Sequence, residues 1–342
     1  MLFYFSAEMK ILILRFSSIG DIVLTTPVVR CIKKQHPEAE VHYATKKAFH
    51  SIVQHNPYVT KIHLLGDSLP EFVKQLKQER FDYVIDLHHN FRTLLIKLQL
   101  GVKSYSFNKL NFEKWLMVNF KINRLPQKHI VDRYLETCKA LSVTNDGEGL
   151  DYFIGPDDVV NLNTLPENFR KGYIAWVIGA KQNTKKFPIE KIVRAIDGIY
   201  WPVVLLGGKE DAAAGDSIVA QVRSATPVFN AAGKFSLNQS ASLVQQAKLV
   251  VTNDTGLMHM AAAFKRPVIS IWGNTIPRFG MYPYMGDNPV TNIVIEVPDL
   301  PCRPCSKLGY DACPKGHFNC MNLIDETIFA KKIEQQTGIR PL

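Results

Sequence analysis

Short apolar runs alternate with helix-like segments along most of this chain, and the alternation decides which folds are open to it. Residues 10–15 (KILILR) form an apolar run suited to a strand that is buried on both faces. A pattern with helical spacing follows over residues 22–30. Because strands that alternate with helices form βαβ units, the sequence predicts an α/β protein with parallel sheets.

The same order of elements occurs twice, which predicts two doubly wound domains. In the first half, the predicted strands are residues 10–15, 41–44, 62–65 and 83–87, with a helix at 69–78. In the second half, the predicted strands are residues 173–178, 203–206, 249–252 and 268–272, with helices at 188–199 and 255–264. Residues 144–170, rich in Asp, Asn, Gly and Pro, are the predicted linker. A length of 342 residues also exceeds what one hydrophobic core usually serves.

The loop after the first strand, residues 17–21 (SSIGD), is the first candidate for a ligand site. Ligands of doubly wound sheets bind outside the carboxyl ends of the strands, and two such domains facing one another leave a cleft there. Gly20 permits close approach of a ligand, and the amides around Ser17 and Ser18 point into the cleft. Asp21 is the carboxylate of this loop. A first-turn Asp that satisfies helix amides explains the same pattern, and both interpretations stay open.

The loop after residues 249–252 is the second candidate. Asn253 and Asp254 lead into a helix whose first turn carries Thr255 and Gly256, and the free amides of such a turn suit a diphosphate. His259 follows Thr255 by four residues and shares its helix face. A capping Asp and a core-facing His would give the same pattern.

Two further loops of the second half carry charged side chains. Lys185 lies in the basic loop 179–188 (GAKQNTKKFP), where a lysine can neutralise phosphate or simply face solvent. Glu210 follows Gly207 and Gly208, where a carboxylate can accept hydrogen bonds from ribose hydroxyls or serve as a helix N-terminal charge.

The formal charge of +10 indicates an acidic partner. Residues 92–139 carry ten Lys and Arg against three acidic residues, with aromatic residues between them. This composition fits an anionic membrane surface or a phosphorylated glycolipid, and equally a solvated basic helix pair. Nucleic acid is disfavoured because no recognised nucleic-acid-binding motif accompanies the charge. No apolar run reaches the length of a transmembrane helix.

Four cysteines near the end of the chain have the spacing C-x2-C-x7-C-x6-C. They are candidate ligands of a structural zinc ion, although reduced thiols that pack or take part in redox chemistry explain them as well: Cys302, Cys305, Cys313 and Cys320. Six cysteines in all do not suggest a disulfide scaffold, so we expect a reducing, cytoplasmic compartment. The motifs G-x-G-x-x-G after a first strand, G-x-x-x-x-G-K-[ST], H-E-x-x-H and G-x-S-x-G are absent, which disfavours redox, P-loop, zincin and serine-hydrolase functions.

Residues 10–27 (KILILRFSSIGDIVLTTP) and 253–259 (NDTGLMH) together resemble the glycosyltransferase family 9 heptosyltransferases of lipopolysaccharide core assembly. The resemblance spans nearly the whole chain from Met9 onward. It implies the GT-B fold, two Rossmann-like doubly wound domains that face each other across a cleft. It also implies inverting chemistry, an ADP-heptose donor and no required cofactor.

The resemblance implies a role for each domain. Residues 9–160 match the N-terminal acceptor-binding domain, and residues 170–320 match the C-terminal domain that binds the nucleotide-sugar donor. Residues 321–342 are predicted to form a C-terminal helix, and residues 1–8 an extension outside the family pattern.

Carried over by motif, Asp21 takes the position of the catalytic base and Lys185 that of the lysine at the donor diphosphate. Glu210 matches the acid at the ribose. The full set expected to bind donor or substrate is Ser17, Ser18, Gly20, Lys185, Glu210, Asn253, Asp254, Thr255, Gly256 and His259.

The function expected from this resemblance is transfer of a heptose, or a related sugar, from an ADP-sugar to a lipopolysaccharide core or lipid A-linked glycan. The acceptor would be a phosphorylated glycolipid, and the enzyme would be cytoplasmic, with peripheral contact to the inner face of the cytoplasmic membrane. Two alternatives stay open: a transferase or epimerase that uses a UDP- or GDP-sugar on the same fold, and a non-catalytic nucleotide-binding protein of the membrane surface.

Overall fold

The computed structural model describes residues 9–338, which form two compact units. Within this range, residues 9–109 and 128–153 make up unit 1, and residues 110–127 and 154–338 make up unit 2. The predicted extension, residues 1–8, and the last four residues of the predicted C-terminal helix lie outside the described range. No helix within it has the length and apolar composition needed to cross a bilayer.

Unit 1 contains a five-stranded parallel sheet in the order β3-β2-β1-β4-β5. Its strands are β1 (Lys10–Leu14), β2 (Glu40–Lys46), β3 (Lys61–Leu65), β4 (Tyr83–Asp86) and β5 (Lys103–Ser106). The helices of residues 9–153 are α1 (Ile19–Val23), α2 (Thr26–Gln35), α3 (His50–Val53), α4 (Leu69–Gln78), α5 (Phe91–Leu100), α6 (Asn111–Phe120) and α7 (Ile130–Leu135). The strand β1 is central and almost wholly buried, as its apolar run predicts.

Unit 2 contains a six-stranded parallel sheet in the order β11-β10-β9-β6-β7-β8. Its strands are β6 (Ile174–Val177), β7 (Val203–Leu206), β8 (Val228–Asn230), β9 (Leu249–Asn253), β10 (Val268–Trp272) and β11 (Asn292–Glu296). The remaining helices are α8 (Ile189–Asp197), α9 (Ala212–Gln221), α10 (Leu237–Gln246), α11 (Gly256–Ala263), α12 (Asn319–Asn322) and α13 (Ile328–Thr337). The fold class predicted from the alternation, an α/β protein with two doubly wound parallel sheets, is confirmed.

Local sequence explains where several helices begin and end. Helix α5 begins after Asn90, whose side chain accepts a hydrogen bond of 3.0 Å from the Thr93 amide, and it ends at Gly101 with φ = 68°. Helix α10 begins after Ser236, whose hydroxyl accepts from the Gln239 amide at 3.1 Å. These caps leave the strand ends and the intervening loops at defined positions.

Helix α13 closes the core of unit 2. Phe329 is fully buried, and its ring centroid lies 5.2 Å from that of Trp176 and 5.6 Å from that of Phe187. Burial of one such ring contributes roughly 1.5–3 kcal/mol.

Residues 321–342 were predicted as one C-terminal helix. In the described part of this range, the structure has the end of α12 and the helix α13, separated by a turn at residues 323–327.

Helix α6 belongs to unit 2, although unit 1 precedes and follows it in the chain. Leu110 and Leu125, which flank this helix, pack in one apolar cluster with Ile276 and Phe279. The predicted range 9–160 includes residues 110–127 in the N-terminal domain, whereas the structure has them in unit 2. Apolar pairing over such a sequence distance leaves no local pattern.

Residues 144–170, the predicted linker, are attached to both units in turn. Thr144 accepts a hydrogen bond at its carbonyl from the Gln35 side chain at 2.7 Å, within unit 1. Asp158 accepts one from the Asn238 side chain at 2.8 Å, within unit 2. The chain changes unit between Phe153 and Ile154.

Candidate active site

Asp21 lies in the first turn of α1, directly after the loop that leaves β1. Its Oδ2 accepts hydrogen bonds from the Ser18 hydroxyl at 2.8 Å and from the Ser18 amide at 3.2 Å. The Asp21 side chain keeps 20% of its surface exposed. The carboxylate therefore acts as a helix cap and remains within reach of solvent.

Arg15, which was not predicted from the sequence, forms an ion pair with the other oxygen of this carboxylate. Its Nη2 lies 2.8 Å from Asp21 Oδ1, and its Nε donates to the Ser17 carbonyl at 2.7 Å. Its Nη1 donates to the Leu87 carbonyl and to the Tyr134 hydroxyl. Arg15 is only 7% exposed, so a cation fixed by the main chain orients Asp21. Its position one residue past an apolar strand is the signal that marks it.

The other members of the first loop have different environments. Ser18 is exposed, whereas Gly20 is buried and its carbonyl accepts a bond of 2.9 Å from the Leu24 amide. Ser17 contributes its carbonyl to Arg15, as described above. Of these three predicted residues, Ser18 is the one whose side chain both contacts Asp21 and faces solvent.

His88 follows β4, the strand that pairs with β1, and it too was missed. Its ring packs edge-on against Phe16 at 5.7 Å, and its buried Nδ1 has no hydrogen-bond partner within residues 9–338. Burial and the nearby Arg15 guanidinium lower the pKa of His88 to about 4. Its imidazole is therefore neutral, with a nitrogen available at the carboxyl edge of the sheet.

The second predicted loop lies at the carboxyl end of β9, and Asn253 joins it to the neighbouring loops. The Asn253 amide donates to the Val177 carbonyl at 3.3 Å, and its Oδ1 accepts from the Phe187 amide at 3.3 Å. Asn253 is 1% exposed. Its contacts thus hold the end of β6 and the loop that carries Lys185 beside β9.

Lys185 and Asp254 form an ion pair at the carboxyl end of β9. Lys185 Nζ lies 2.6 Å from Asp254 Oδ2, and the Thr275 hydroxyl donates to the same oxygen at 3.0 Å. The two side chains of the ion pair are 17% and 13% exposed. Thr275, the third residue after β10, was not selected from the sequence.

Helix α11 begins with the residues that the family motif selects. Thr255 is its N-cap residue, with a hydroxyl 3.3 Å from that of Thr252, and Gly256 is the first helical residue. His259 is 2% exposed and lies one turn further along. The first turn thus presents backbone amides beside the Lys185–Asp254 pair, an arrangement that attracts anions.

Glu210 and Asp211 follow the carboxyl end of β7 and differ in burial. Asp211 is 3% exposed, pairs with Lys186 Nζ at 2.7 Å and accepts from the Gly208 amide at 3.0 Å. Glu210 is exposed. Asp211 stabilises the turn through these contacts, and the side chain of Glu210 is left exposed to solvent.

The strand order brings these loops of unit 2 together. Strands β9, β6 and β7 are consecutive in the sheet and parallel, so their carboxyl ends lie side by side. Asn274, next to Thr275, adds a buried side chain whose two amide atoms have no partner in the described part of the chain. This edge thus holds polar groups that a ligand could satisfy.

A cavity of about 360 Å³ lies beside this edge. It is lined by apolar residues of α8 and α9 and by the charged side chains of Lys186, Glu210 and Asp211. Lys185 and the residues of α11 do not line it. Glu210 is the predicted donor-site residue that lines this cavity.

No three sulfur atoms of the four predicted zinc ligands, Cys302, Cys305, Cys313 and Cys320, lie within 4.8 Å of one another. All six cysteines are free thiols, and Cys305 donates to the Cys302 carbonyl at 3.0 Å. Burial raises the pKa of Cys305 and of Cys320 to about 11, which favours the protonated form. Across residues 9–338, ligand atoms within 4.8 Å of one another in groups of three or more belong to His42, His63 and Glu79.

The comparisons with known proteins point to one family. Its model, glycosyltransferase family 9 (heptosyltransferase), matches residues 70–309. Lipopolysaccharide heptosyltransferase 2 of Escherichia coli (strain K12) is 24% identical over 79% of this chain and 84% of its own length. Lipopolysaccharide heptosyltransferase 1 of Campylobacter coli is 24% identical over 78% of this chain and 84% of its own length. The solved structure of E. coli heptosyltransferase WaaC with ADP has a TM-score of 0.68 at 22% identity, covering 96% of this chain and 100% of that one.

Proposed function

Because the chain belongs to glycosyltransferase family 9 and is a glycosyltransferase of the GT-B fold, we propose that it transfers a heptose from ADP-heptose to a lipopolysaccharide core acceptor. The two curated relatives named above are lipopolysaccharide heptosyltransferases, and the E. coli heptosyltransferase WaaC was solved with ADP. The observation in this chain that carries the proposal is the Lys185–Asp254 pair beside the first turn of α11.

The donor diphosphate is proposed to bind at this pair and at the amides of Thr255 and Gly256. A diphosphate brings negative charge, which Lys185 and the positive end of α11 neutralise. Asp254 and Thr275 hold the lysine in place before the donor arrives. In this proposal Glu210, exposed after the end of β7, would accept hydrogen bonds from the ribose hydroxyls.

The proposed reaction is a single displacement that inverts the anomeric carbon. The acceptor hydroxyl loses its proton to Asp21, its oxygen forms the new glycosidic bond, and the bond to the diphosphate breaks. The electron pair of that bond leaves with ADP, whose added charge Lys185 and the α11 amides stabilise. In this proposal the leaving group is stabilised by residues of the chain, and no metal ion takes part in the step.

Titration calorimetry with ADP, UDP and GDP tests the nucleotide. We expect ADP to bind at least tenfold more tightly than the other two. Preference for UDP or GDP would favour a different sugar transferase or an epimerase. Mass spectrometry of a lipid A-linked core glycan incubated with ADP-heptose then tests transfer itself, since a nucleotide-binding protein without activity leaves the glycan mass unchanged.

We also place this activity at the inner face of the cytoplasmic membrane, with α6 in contact with the lipid surface. Phe112, Trp115 and Phe120 are 60%, 51% and 58% exposed. Phe112 stacks on Trp115 with a centroid separation of 6.2 Å, and Phe120 packs edge-on against Trp115 at 5.2 Å. Exposed aromatic residues in a basic segment are typical of helices that lie in the interface of an anionic bilayer.

Co-sedimentation with vesicles of anionic phospholipid tests this contact. Replacing Trp115 by Ser should weaken binding several-fold, because the ring supplies apolar area to the bilayer interface. Tyr200→Ser is the matched control, since Tyr200 is 50% exposed and lies in unit 2. Equal binding of wild type and W115S would remove α6 from the membrane contact without affecting the proposed reaction.

A further inference from the structure

Two histidines and a glutamate lie together in unit 1, at the end of the sheet opposite to Asp21. His42 is in β2 near its start, His63 is in the neighbouring strand β3, and Glu79 follows the last residue of α4. Asp21 follows the carboxyl end of β1, whereas this cluster lies toward the amino ends of the strands. The reaction proposed above does not use it.

The three side chains present nitrogen and oxygen atoms to one another. His42 Nδ1 lies 2.9 Å from His63 Nε2 and 4.0 Å from Glu79 Oε2, and the three atoms all lie within 4.8 Å of one another. Nitrogen and oxygen ligands held by one tetrahedral zinc ion are roughly 3.3 Å apart, because each bond is about 2.0–2.1 Å long. Side-chain adjustments of about 1 Å therefore suffice to bring all three to one ion.

Glu40 fixes which nitrogen of His42 faces the cluster. His42 Nε2 lies 3.1 Å from Glu40 Oε2, and because a carboxylate only accepts, Nε2 carries the proton. His42 Nδ1 is then the unprotonated nitrogen, and it points to His63. A histidine that donates one ring proton to a carboxylate while the other nitrogen is available as a ligand is the usual arrangement around bound zinc.

Both imidazoles are held in place by their surroundings. His42 and His63 are 1% and 7% exposed, and Phe81 packs edge-on against both rings at 5.2 Å and 6.0 Å. Rings with so little freedom lose little conformational entropy when they bind a cation.

The two oxygens of Glu79 have different lysine partners. Lys61 Nζ lies 2.5 Å from Oε1. Lys10 Nζ lies 3.0 Å from Glu40 and forms a longer ion pair, of 3.7 Å, with Glu79 Oε2. A metal ion bound at Oε2, the oxygen closer to His42, would replace this longer contact with Lys10, while Lys61 keeps its own oxygen.

We propose that His42, His63 and Glu79 bind a zinc ion, with Glu40 as the positioning residue of His42. The ligand set is two imidazoles and one carboxylate, with water completing the tetrahedron. Binding replaces the His42–His63 hydrogen bond, and the His63 proton moves to Nδ1, so that no net charge changes on the rings. Such an ion would link β2, β3 and the end of α4 to one another.

The test must exclude adventitious binding of zinc to the free thiols of Cys302 and Cys305, because thiolates bind zinc. The reference protein is therefore the full chain with Cys302→Ser and Cys305→Ser, which leaves unit 1 unchanged. Zinc chloride is titrated by calorimetry, and cobalt chloride gives visible absorption bands for a nitrogen and oxygen site without thiolate-to-metal charge transfer. Melting temperature with and without zinc reports whether binding stabilises the fold.

We expect the reference protein to bind one zinc ion per chain and to melt at a higher temperature with it. His63→Asn and Glu79→Gln, added separately, should lower zinc affinity at least tenfold and abolish the shift in melting temperature. Glu40→Gln should lower affinity by about 10–100-fold, the usual effect of losing the carboxylate behind a ligating histidine. The matched controls are exposed residues of the same types, His55→Asn and Glu71→Gln, which should bind zinc as the reference does.

Two results overturn the proposal. One is a reference protein that binds no zinc at all, in which case the cluster is a hydrogen-bonded ion-pair network. The other is zinc affinity that is the same with and without His63→Asn and Glu79→Gln, which assigns the metal to other groups. Because Glu79 is 17% exposed, its Gln variant should fold, and it keeps the test valid if His63→Asn does not.

Discussion

The two α/β units both place an aspartate after a parallel strand, but they hold its cation differently. In unit 1, Arg15 is 7% exposed and donates to two carbonyls and a hydroxyl besides Asp21. In unit 2, the ammonium of Lys185 reaches Asp254 from a more exposed loop. A cation tied to the main chain keeps a carboxylate in one orientation, which suits a base. A lysine on a flexible stem can exchange its carboxylate for a phosphate, which suits a site for a charged donor.

The largest effect should come from Asp21→Asn, which tests the fixed side of this contrast. Asn keeps an oxygen for Ser18 but cannot take a proton, so kcat should fall by about 10²–10⁴ while donor affinity stays near wild type. The variant also leaves Arg15 without its carboxylate, so we expect a lower melting temperature. The measurements are kcat from ADP release, ADP affinity by calorimetry, and melting temperature.

Ser18→Ala is the control for Asp21, because it removes a contact of the carboxylate and leaves the base in place. It should cost stability of about 1 kcal/mol and little kcat. A near wild-type kcat in Asp21→Asn would make Asp21 a capping and ion-pair residue only.

The exchangeable side of the contrast is tested by Lys185→Ala. Loss of one charge-assisted contact to the diphosphate should weaken ADP binding by roughly 1.5–3 kcal/mol, about 10–150-fold. Calorimetry measures it directly. Lys181→Ala, an exposed lysine of the same loop, serves as the control and should bind ADP normally. If both variants bind ADP as the wild type does, the diphosphate is held elsewhere.

Each unit also fastens a late segment to a helix by an ion pair, and acid should separate the two pairs. Asp146 accepts two bonds of 2.8 Å from Arg30, which is 1% exposed, and although burial opposes it this contact lowers the pKa of Asp146 to about 2. Burial raises the pKa of Glu326, but the hydrogen bonds from Lys191 and Arg194 together outweigh it and lower that pKa to about 2. Both contributions to stability are present above the ordinary carboxyl pKa near 4 and are lost as the pH falls toward 2.

Asp146→Asn should therefore cost about 2 kcal/mol of unfolding free energy at neutral pH. Glu326→Gln should cost about 1 kcal/mol or less, because Arg194 is largely solvated. Urea unfolding at pH 7 and pH 3 checks both values, and each variant should be less acid-sensitive than the wild type. Equal losses in the two variants would show that the burial of Arg30 gives its pair no advantage.

The smallest expected effect is that of Thr275→Val, which removes the hydrogen bond to Asp254 without changing the volume of the side chain. Less restraint on the Lys185–Asp254 pair should weaken ADP binding by about 1 kcal/mol. Thr164→Val removes an exposed hydroxyl of the same unit and should leave ADP affinity unchanged. An effect as large as that of Lys185→Ala would instead indicate that Thr275 contacts the donor itself.

The sequence predicts the strands with strong local patterns and misses those without them. Residues 69–78, 203–206 and 268–272 match α4, β7 and β10 residue for residue. The edge strands β5, β8 and β11 were missed because each is partly exposed and its apolar run is short, whereas the edge strand β3 was predicted as residues 62–65.

The candidate site divides in the same way. Residues of the loops and first helical turns that follow strands, such as Asp21 and Asp254, could be selected from the sequence because strand ends bring ligand groups together. Arg15, His88 and Thr275 also follow strands, but they were not selected because their importance depends on partners in other strands. Asp211 shows the limit most clearly, since only the structure distinguishes this buried carboxylate from the exposed Glu210 beside it.

Helix α6 has a consequence for how the chain is made. The ribosome completes this helix long before Ile276 and Phe279, against which Leu110 and Leu125 pack. At 5–20 residues per second, the nascent chain spends about 10–30 s with that apolar surface uncovered. During translation, a chaperone or the membrane can therefore contact the aromatic side chains of α6 before the rest of unit 2 has been made. A gene fragment that starts at residue 154 would produce unit 2 without α6, which is one of its own helices.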